Sequence, residues 1–358
     1  MKFTTLIICL LSLIPAVKAQ LPANLFSISD TVIEQKVDSI YNSLTTKERI
    51  AQMIFIAAGD YGRKTDEVQN LVSQRKVGGI IYLGGTAAEF KEIGESVNKA
   101  NNDFVPLLYS IDAEPSLIKY KLRNVADFAK TNTLKDSVAV VNAVSLINSM
   151  LNDVEVTINY APVCDLTPEN EVIGHRSFGK NEDTVVMLSQ YFIDKSLQGG
   201  VLPVIKHFPG HGNVVGDSHK KLVYIDGEMQ ELNTFKRMIN NGAPSVMVGH
   251  IAIQNNEFET TMPSSLSHRV VTDLLRDSLN FSGLIITDAL NMGAVSSIKN
   301  AGFLAMQAGC DVILMPLNVD QVIDSAYIKV KEDENFALQI ESSVKRILKL
   351  KYAQGLIH

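Results

Sequence analysis

A parallel (β/α)8 barrel of the TIM type, built as a single α/β domain, is the fold class this 358-residue sequence predicts. Three observations lead to it. Eight near-continuous apolar runs alternate with stretches of helical pattern, several runs end in a polar or charged residue, and no glycine-rich phosphate fingerprint follows the first run. Parallel strands covered on both faces read as unbroken apolar segments, and eight such units favour closure into a barrel. An open doubly wound sheet is the runner-up, and it lacks its fingerprint here. With 46% hydrophobic residues the chain can bury a substantial core, so one domain over 31–358 is the default.

Residues 1–19 start with Lys2 soon after Met1, continue through an apolar stretch too short to span a bilayer well, and end on Val17-Lys18-Ala19. This predicts a cleavable signal peptide, and hence an exported protein, periplasmic or secreted, with no membrane span in its mature form. Residues 20–30 read as a loose leader. Thr45 and Glu48 have the spacing of a capping box that opens a short helix before the first strand. The strand-like runs are Ile54–Ala58, Gly79–Leu83, Pro106–Ile111, Thr157–Val163, Leu202–Ile205, Ser245–Val248, Gly283–Thr287 and Asp311–Met315. Several runs end in polar residues: Asp112, Lys206 and Asp288 follow directly, and Asp165 and His250 one residue further on. Between the runs, helices are predicted at Asp66–Arg75, Ala87–Asn101, Lys135–Leu151, Asp183–Gln198, Glu228–Asn240, Arg269–Ser278, Val295–Ala308 and Phe336–Lys351.

The formal charge is −6 for the whole chain and −8 after loss of residues 1–19, which carry Lys2 and Lys18 and no acidic residue. An acidic protein without a cluster of basic residues is a poor ligand for nucleic acid or an anionic membrane. Cys9 falls in the export segment, leaving Cys164 and Cys310, and no cysteine follows the cleavage point to take a lipid anchor. The chain has no Trp, so any aromatic stacking falls to Tyr61, Tyr82, Tyr109 or Phe208.

Lys206 to His219, KHFPGHGNVVGDSH, places three histidines, a lysine and an aspartate in one run with three glycines and a proline. Neither helix nor strand persists through such a segment, which reads as a loop at a strand end. Three readings compete for it. His207, His211, Asp217 and His219 are acceptable metal ligands, but HFPGH cannot supply the helical spacing usual for zinc pairs. A second reading makes each histidine a satisfied structural group. In the third, Asp217 orients His219 two residues on and raises its proton affinity, making His219 a proton donor.

Gly283-Leu-Ile-Ile-Thr-Asp288 is a strand-like run ending in a carboxylate. At the C-terminal end of a buried strand such a group points into a site, whereas the bland reading has Asp288 capping a helix that starts near Gly293.

KHFPGHG followed by DSH, with Ile286-Thr-Asp288-Ala-Leu-Asn-Met292, resembles glycoside hydrolase family 3, in particular its single-domain β-N-acetylglucosaminidase branch (β-N-acetylhexosaminidase, EC 3.2.1.52 type). Asn159-Tyr-Ala-Pro-Val-Cys-Asp165, Ile173-Gly-His-Arg-Ser-Phe-Gly179, Pro263-Ser-Ser-Leu-Ser-His268, Gly309–Pro316 and Leu44–Met53 extend the likeness over roughly 40–355. The resemblance implies that Asp288 is the nucleophile of a retaining glycosidase and His219, with Asp217, its acid/base. It further implies that Asp112 and Arg176 hold sugar hydroxyls. Lys206 and His207 join them as charge-assisted donors at a strand end, while His211 shapes the loop and Asp165 has a structural role.

One segment departs from the family. Where the family reads close to IDQEGGRVQR, this chain has Ile111-Asp-Ala-Glu-Pro-Ser-Leu-Ile-Lys-Tyr120, and the family's arginines fall on Leu117 and Tyr120. Lys119, Lys121 and Arg123 are the available replacements.

The predicted reaction is hydrolysis of terminal β-N-acetylglucosaminides, from muropeptide or chitin-type fragments, through a covalent glycosyl-Asp288 intermediate. The predicted partner is therefore a carbohydrate substrate; no cofactor and no metal are called for, and nothing in the sequence fixes an oligomeric state. Glu114, also near a strand end, is the rival proton donor. Alternatives are a catalytically impaired sugar-binding protein, a metal-dependent hydrolase, and a phosphorylase with phosphate as acceptor.

Overall fold

A computed structural model describes residues 19–166, 172–214 and 216–358. Apart from Ala19, the predicted signal peptide lies outside the described residues. Every paired strand runs parallel to its partner. β1 (Ile54–Ala58), β2 (Gly79–Tyr82), β3 (Leu108–Ile111), β4 (Ile158–Asn159), β5 (Leu202–Pro203) and β11 (Ile313–Leu314) form one sheet in the order β11-β1-β2-β3-β4-β5. A second sheet has the order β10-β8-β6, from β6 (Ile205–Phe208), β8 (Ser245–Val248) and β10 (Leu284–Thr287). Isolated parallel bridges join Val163 to Lys206 and Ile286 to Val312. The molecule is thus an α/β domain with a curled parallel sheet.

β1, β2, β3, β6, β8 and β10 are buried along their whole length, as expected of strands covered on both faces. Proline shortens the ladder where the sequence predicts longer strands. Pro162 and Pro203 have no N–H to give, and β4 and β5 keep two residues each. β7 (Val223–Asp226) and β9 (Ile251–Gln254), unforeseen in the sequence, pair with each other away from the main sheet. β7 has a mixed burial pattern that hides it among polar loop residues.

Thr45 and Glu48 form the predicted capping box, and Thr86 and Glu89 form another at the helix Ala87–Asn101. Among the helices not anticipated are the two long ones Thr31–Ser43 and Val319–Glu332, although Asp30 and Asn318 cap them through their side chains, and the short Ile118–Lys121. The helix expected over Val295–Ala308 begins only at Ala301, because turns occupy the preceding residues. Residues 20–30 are packed rather than loose. Leu21 and Leu25 are in the core, and the Leu21 N–H donates to the Leu197 carbonyl at 3.0 Å. Burying two leucines stabilises such a segment by about 3–5 kcal/mol before ordering costs.

Candidate active site

The segment after β3, the strand β6 and the turn Gly174–Arg176 together build a buried lattice of charges; Lys206 and His207 lie within β6, so the predicted loop begins only after Phe208. Glu114 accepts from Arg176 Nε at 2.9 Å and Nη2 at 2.7 Å, a bidentate pair. Lys206 Nζ lies 2.6 Å from Glu114 and 2.5 Å from Asp112. Burial opposes ionisation of Glu114, but Arg176 and Lys206 beside it outweigh that and hold its carboxyl below the usual range. Asp112 is held low in the same way, with Lys206 the strongest attraction. The two carboxylates in turn keep the buried Lys206 ammonium charged.

His207 is fixed from behind. Its Nδ1 faces Asp165 Oδ2 at 2.7 Å, which sets Nδ1 as the donor and turns Nε2 toward Arg176 Nη2, 3.5 Å away. Asp165 also accepts the His211 N–H at 2.7 Å, so it serves the structural role predicted for it and braces His207 as well. His211 Nε2 is 2.9 Å from Ser218 Oγ within the same loop.

Asp288 follows β10, and its N–H donates to the Val248 carbonyl. Its Oδ1 accepts the Ala289 N–H at 2.7 Å, and no helix starts before Ala301, which removes the helix-cap reading. Burial raises the cost of its charge, but His250, His207 and the Ala289 N–H outweigh that and hold the carboxyl below its ordinary value. His250, which ends the apolar run of β8 but received no role from the sequence, is fully buried between Ser265 Oγ at 2.7 Å and the Ala289 carbonyl at 3.0 Å. Burial holds its imidazole below the ordinary value.

His219 is exposed on the loop after β6. Its Nδ1 lies 2.8 Å from Asp217 Oδ1, and the same oxygen accepts the His219 N–H at 2.9 Å. Partial burial works against the Asp217 carboxylate, yet the hydrogen bonds from His219 hold its carboxyl low.

One cavity of about 380 Å³ gathers Asp112, Arg176, Lys206, His207, His219 and Asp288. Asp217 lies behind His219, and Glu114 beneath Arg176 and Lys206. Of the four aromatic candidates, Tyr61 lines the cavity, while Tyr82, Tyr109 and Phe208 are buried in the core; Tyr160 also faces the cavity. Directly after the departing segment, Lys121 lines the cavity with Nζ 3.9 Å from Asp112. Lys119 pairs with Asp127, and Arg123 with Asp60 and Glu89, so neither takes that place. Pro115 and Ser116 are accommodated: the Ser116 hydroxyl donates to the His175 carbonyl at 2.8 Å, anchoring the turn that carries Arg176. Among the described residues no group of three or more His, Cys, Asp or Glu side chains is placed to hold a metal ion.

A carboxylate and a carboxylate-braced imidazole facing one cavity, at strand ends lined with fixed ionic donors, define the class of site expected of a glycoside-processing enzyme. The model of the glycosyl hydrolase family 3 N terminal domain matches residues 45–350, and the chain belongs to this family. Beta-hexosaminidase A of Pseudoalteromonas piscicida is 27% identical over 327 residues, which cover 80% of this chain and 55% of that protein. Beta-hexosaminidase LpqI of Mycobacterium tuberculosis is 28% identical over 332 residues, covering 86% and 83%. Among solved structures, a glycoside hydrolase family 3 beta-N-acetylglucosaminidase from Paenibacillus sp. superposes with a TM-score of 0.78 at 29% identity, over 87% of this chain and 63% of that one.

Proposed function

We propose that the chain is a retaining glycosidase that removes terminal β-linked N-acetylglucosamine from muropeptide or chitin-type fragments. The observation that carries this reading is that Asp288 and the Asp217-braced His219 face the same cavity. The names of the beta-hexosaminidase relatives support the sugar. Asp288 attacks the anomeric carbon while His219 gives its proton to the departing oxygen, leaving a glycosyl-Asp288 ester. His219, now unprotonated, then takes a proton from water as the water oxygen displaces Asp288. Asp112, Arg176, Lys206 and His207 hold the sugar ring.

Glu114 is a poor proton donor on two counts: its paired carboxyl is held ionised, and it lies below the cavity rather than in its lining. The bridges Val163–Lys206 and Ile286–Val312 support reading the two sheets as one closed eight-unit barrel. The basic, then apolar, then small-residue order of residues 1–19 supports export.

The deciding experiment is the leaving-group dependence of His219→Ala. Its kcat/KM should fall steeply on a disaccharide and far less on an aryl N-acetylglucosaminide whose phenolate leaves unaided. Glycosyl-enzyme should accumulate on the aryl substrate. Equal losses on both substrates would remove His219 from the role, and a larger selective loss from Glu114→Ala would transfer it.

A further inference from the structure

We infer that Glu231 is a positioning residue for the acid/base, a buried carboxyl group that sets where His219 stands by clamping together the backbones of two site loops. The inference rests on the proposed role of His219.

Glu231 is 3% exposed and immediately precedes the helix Leu232–Asn240, yet its side chain makes no capping hydrogen bond there. It is spent on the site loops. Oε1 accepts the Leu166 N–H at 2.6 Å, directly after Asp165, which braces His207. Both oxygens face the Gly212 N–H, at 3.0 and 3.2 Å, in the loop that leads to His219. Gly210 makes this approach feasible: its φ is +133°, and a Cβ there would lie 2.3 Å from Glu231 Oε2.

From Gly212 the restraint runs on to the acid/base. His211, flanked by Gly210 and Gly212, is held through its N–H on Asp165 and reaches Ser218 Oγ with Nε2 at 2.9 Å. Ser218 adjoins His219, whose carbonyl accepts the Gly293 N–H at 2.9 Å. The His219 ring is exposed, and Asp217, its hydrogen-bonding partner, belongs to the same loop. The position of the pair relative to Asp288 therefore depends on how the loop is anchored. Burial, with Asp165 nearby, pushes the Glu231 carboxyl up to about 8. Glutamine consequently keeps the near-neutral charge state while replacing one of the two accepting oxygens by an amide donor that faces the Gly212 N–H.

The test is Glu231→Gln, made in the full chain alone and combined with His219→Ala, assayed as kcat/KM on a disaccharide and on an activated aryl N-acetylglucosaminide. A small displacement of a reacting group can cost up to about 100-fold, so an outcome of about tenfold on the disaccharide is expected. The activated substrate, which does not need the proton, should lose less than about threefold. In the His219→Ala background Glu231→Gln should cost nothing further on the disaccharide, since a misplaced acid and an absent one are equivalent.

Equal losses on both substrates, or losses that add to those of His219→Ala, would mark Glu231 as general scaffolding and overturn the inference. If His219→Ala itself lacks leaving-group dependence, the proposed mechanism fails and this inference with it. If His219→Ala shows the dependence and Glu231→Gln does not, only the inference fails. Should Glu231→Gln not fold, Ser218→Ala cuts the far end of the chain by removing one oxygen and must give the same selective signature at smaller size; a uniform loss from it refutes the clamp equally.

Discussion

Lys351 offers a stability prediction that is independent of catalysis. It is 0% exposed in the helix Glu334–Ala353, and its Nζ donates to Gln52 Oε1 at 2.6 Å and the Gly78 carbonyl at 3.2 Å, with no carboxylate partner among the described residues. Burial alone pushes its pKa down from 10.5 to about 7. At about 1.4 kcal/mol per tenfold change in proton affinity, that distance is worth about 5 kcal/mol. The unfolded chain binds the extra proton between pH 7 and 10.5, so this contribution to stability is complete above 10.5 and is lost as pH falls toward 7. Lys351→Met lacks the titration. Constant terms, such as the loss of this donor to the Gln52 side-chain oxygen, cancel when only the pH dependence is compared. The unfolding free energy of the wild type minus that of the variant, from urea titrations, should rise by about 3 kcal/mol between pH 7 and 9.5. A flat difference across that range would show that the amine keeps an ordinary pKa and that the interior around it admits water.

Asp288→Asn should abolish turnover while leaving the unfolding midpoint and sugar binding near wild type, because the amide is nearly isosteric but cannot form the ester; more than a few per cent residual activity contradicts the nucleophile assignment. Asp311→Asn should destabilise by about 3 kcal/mol in urea unfolding, since the fully buried carboxylate is shared by Arg276, Arg346, Ser343 and the Ile285 N–H; a loss below about 1 kcal/mol would mean that the arginines find solvent instead. Cys164 and Cys310 are free, buried, and pushed up in pKa by that burial, to about 12 for Cys164. A thiol reagent should therefore find neither in the native protein and both after denaturation, for a chain starting at residue 20; fewer than two would indicate pairing.

The sheet was legible because parallel strands buried on both faces leave an unmistakable apolar run: Ile54–Ala58 and Ser245–Val248 coincide with β1 and β8. The site was legible where it lies on strand ends, since Asp112 and Asp288 follow such runs; they share one cavity with Lys206 and His207, which the sequence assigned to a loop but which lie within β6. What stayed hidden are relations through space. The sequence marked Glu114 by its place near a strand end but not its pairing with Arg176, 62 positions away, and Glu231 beneath Gly212 has no local pattern to announce it. Of the three cations weighed as replacements for the family's arginines, the sequence could not select Lys121. That choice depends on Asp127, Asp60 and Glu89 standing where they capture the other two. The helix Val319–Glu332 was missed although Asn318 caps it, because its apolar face competes with the charged residues between.

The carboxylates around the cavity divide by their partners, and the division argues for their roles. Asp112 and Glu114 are locked against Lys206 and Arg176, and Asp165 against His207. A carboxylate in such a pair is a poor nucleophile, because attack on carbon must first give up a desolvated ion pair. On the proposed mechanism they fix the cations that hold the sugar. Asp288 is in no ion pair among the described residues; its charge is supported by the Ala289 N–H and by the field of His250 and His207. It is therefore ionised without an ion-pair partner among the described residues, as the proposed attack on a positive anomeric carbon needs. His250 keeps its two ring nitrogens on Ser265 and Ala289, so it helps to shape this field without titrating into it as a donor to Asp288. The strong ion pairs around the cavity thus leave Asp288 as the lining carboxylate without one among the described residues, which is the arrangement the proposed covalent mechanism requires.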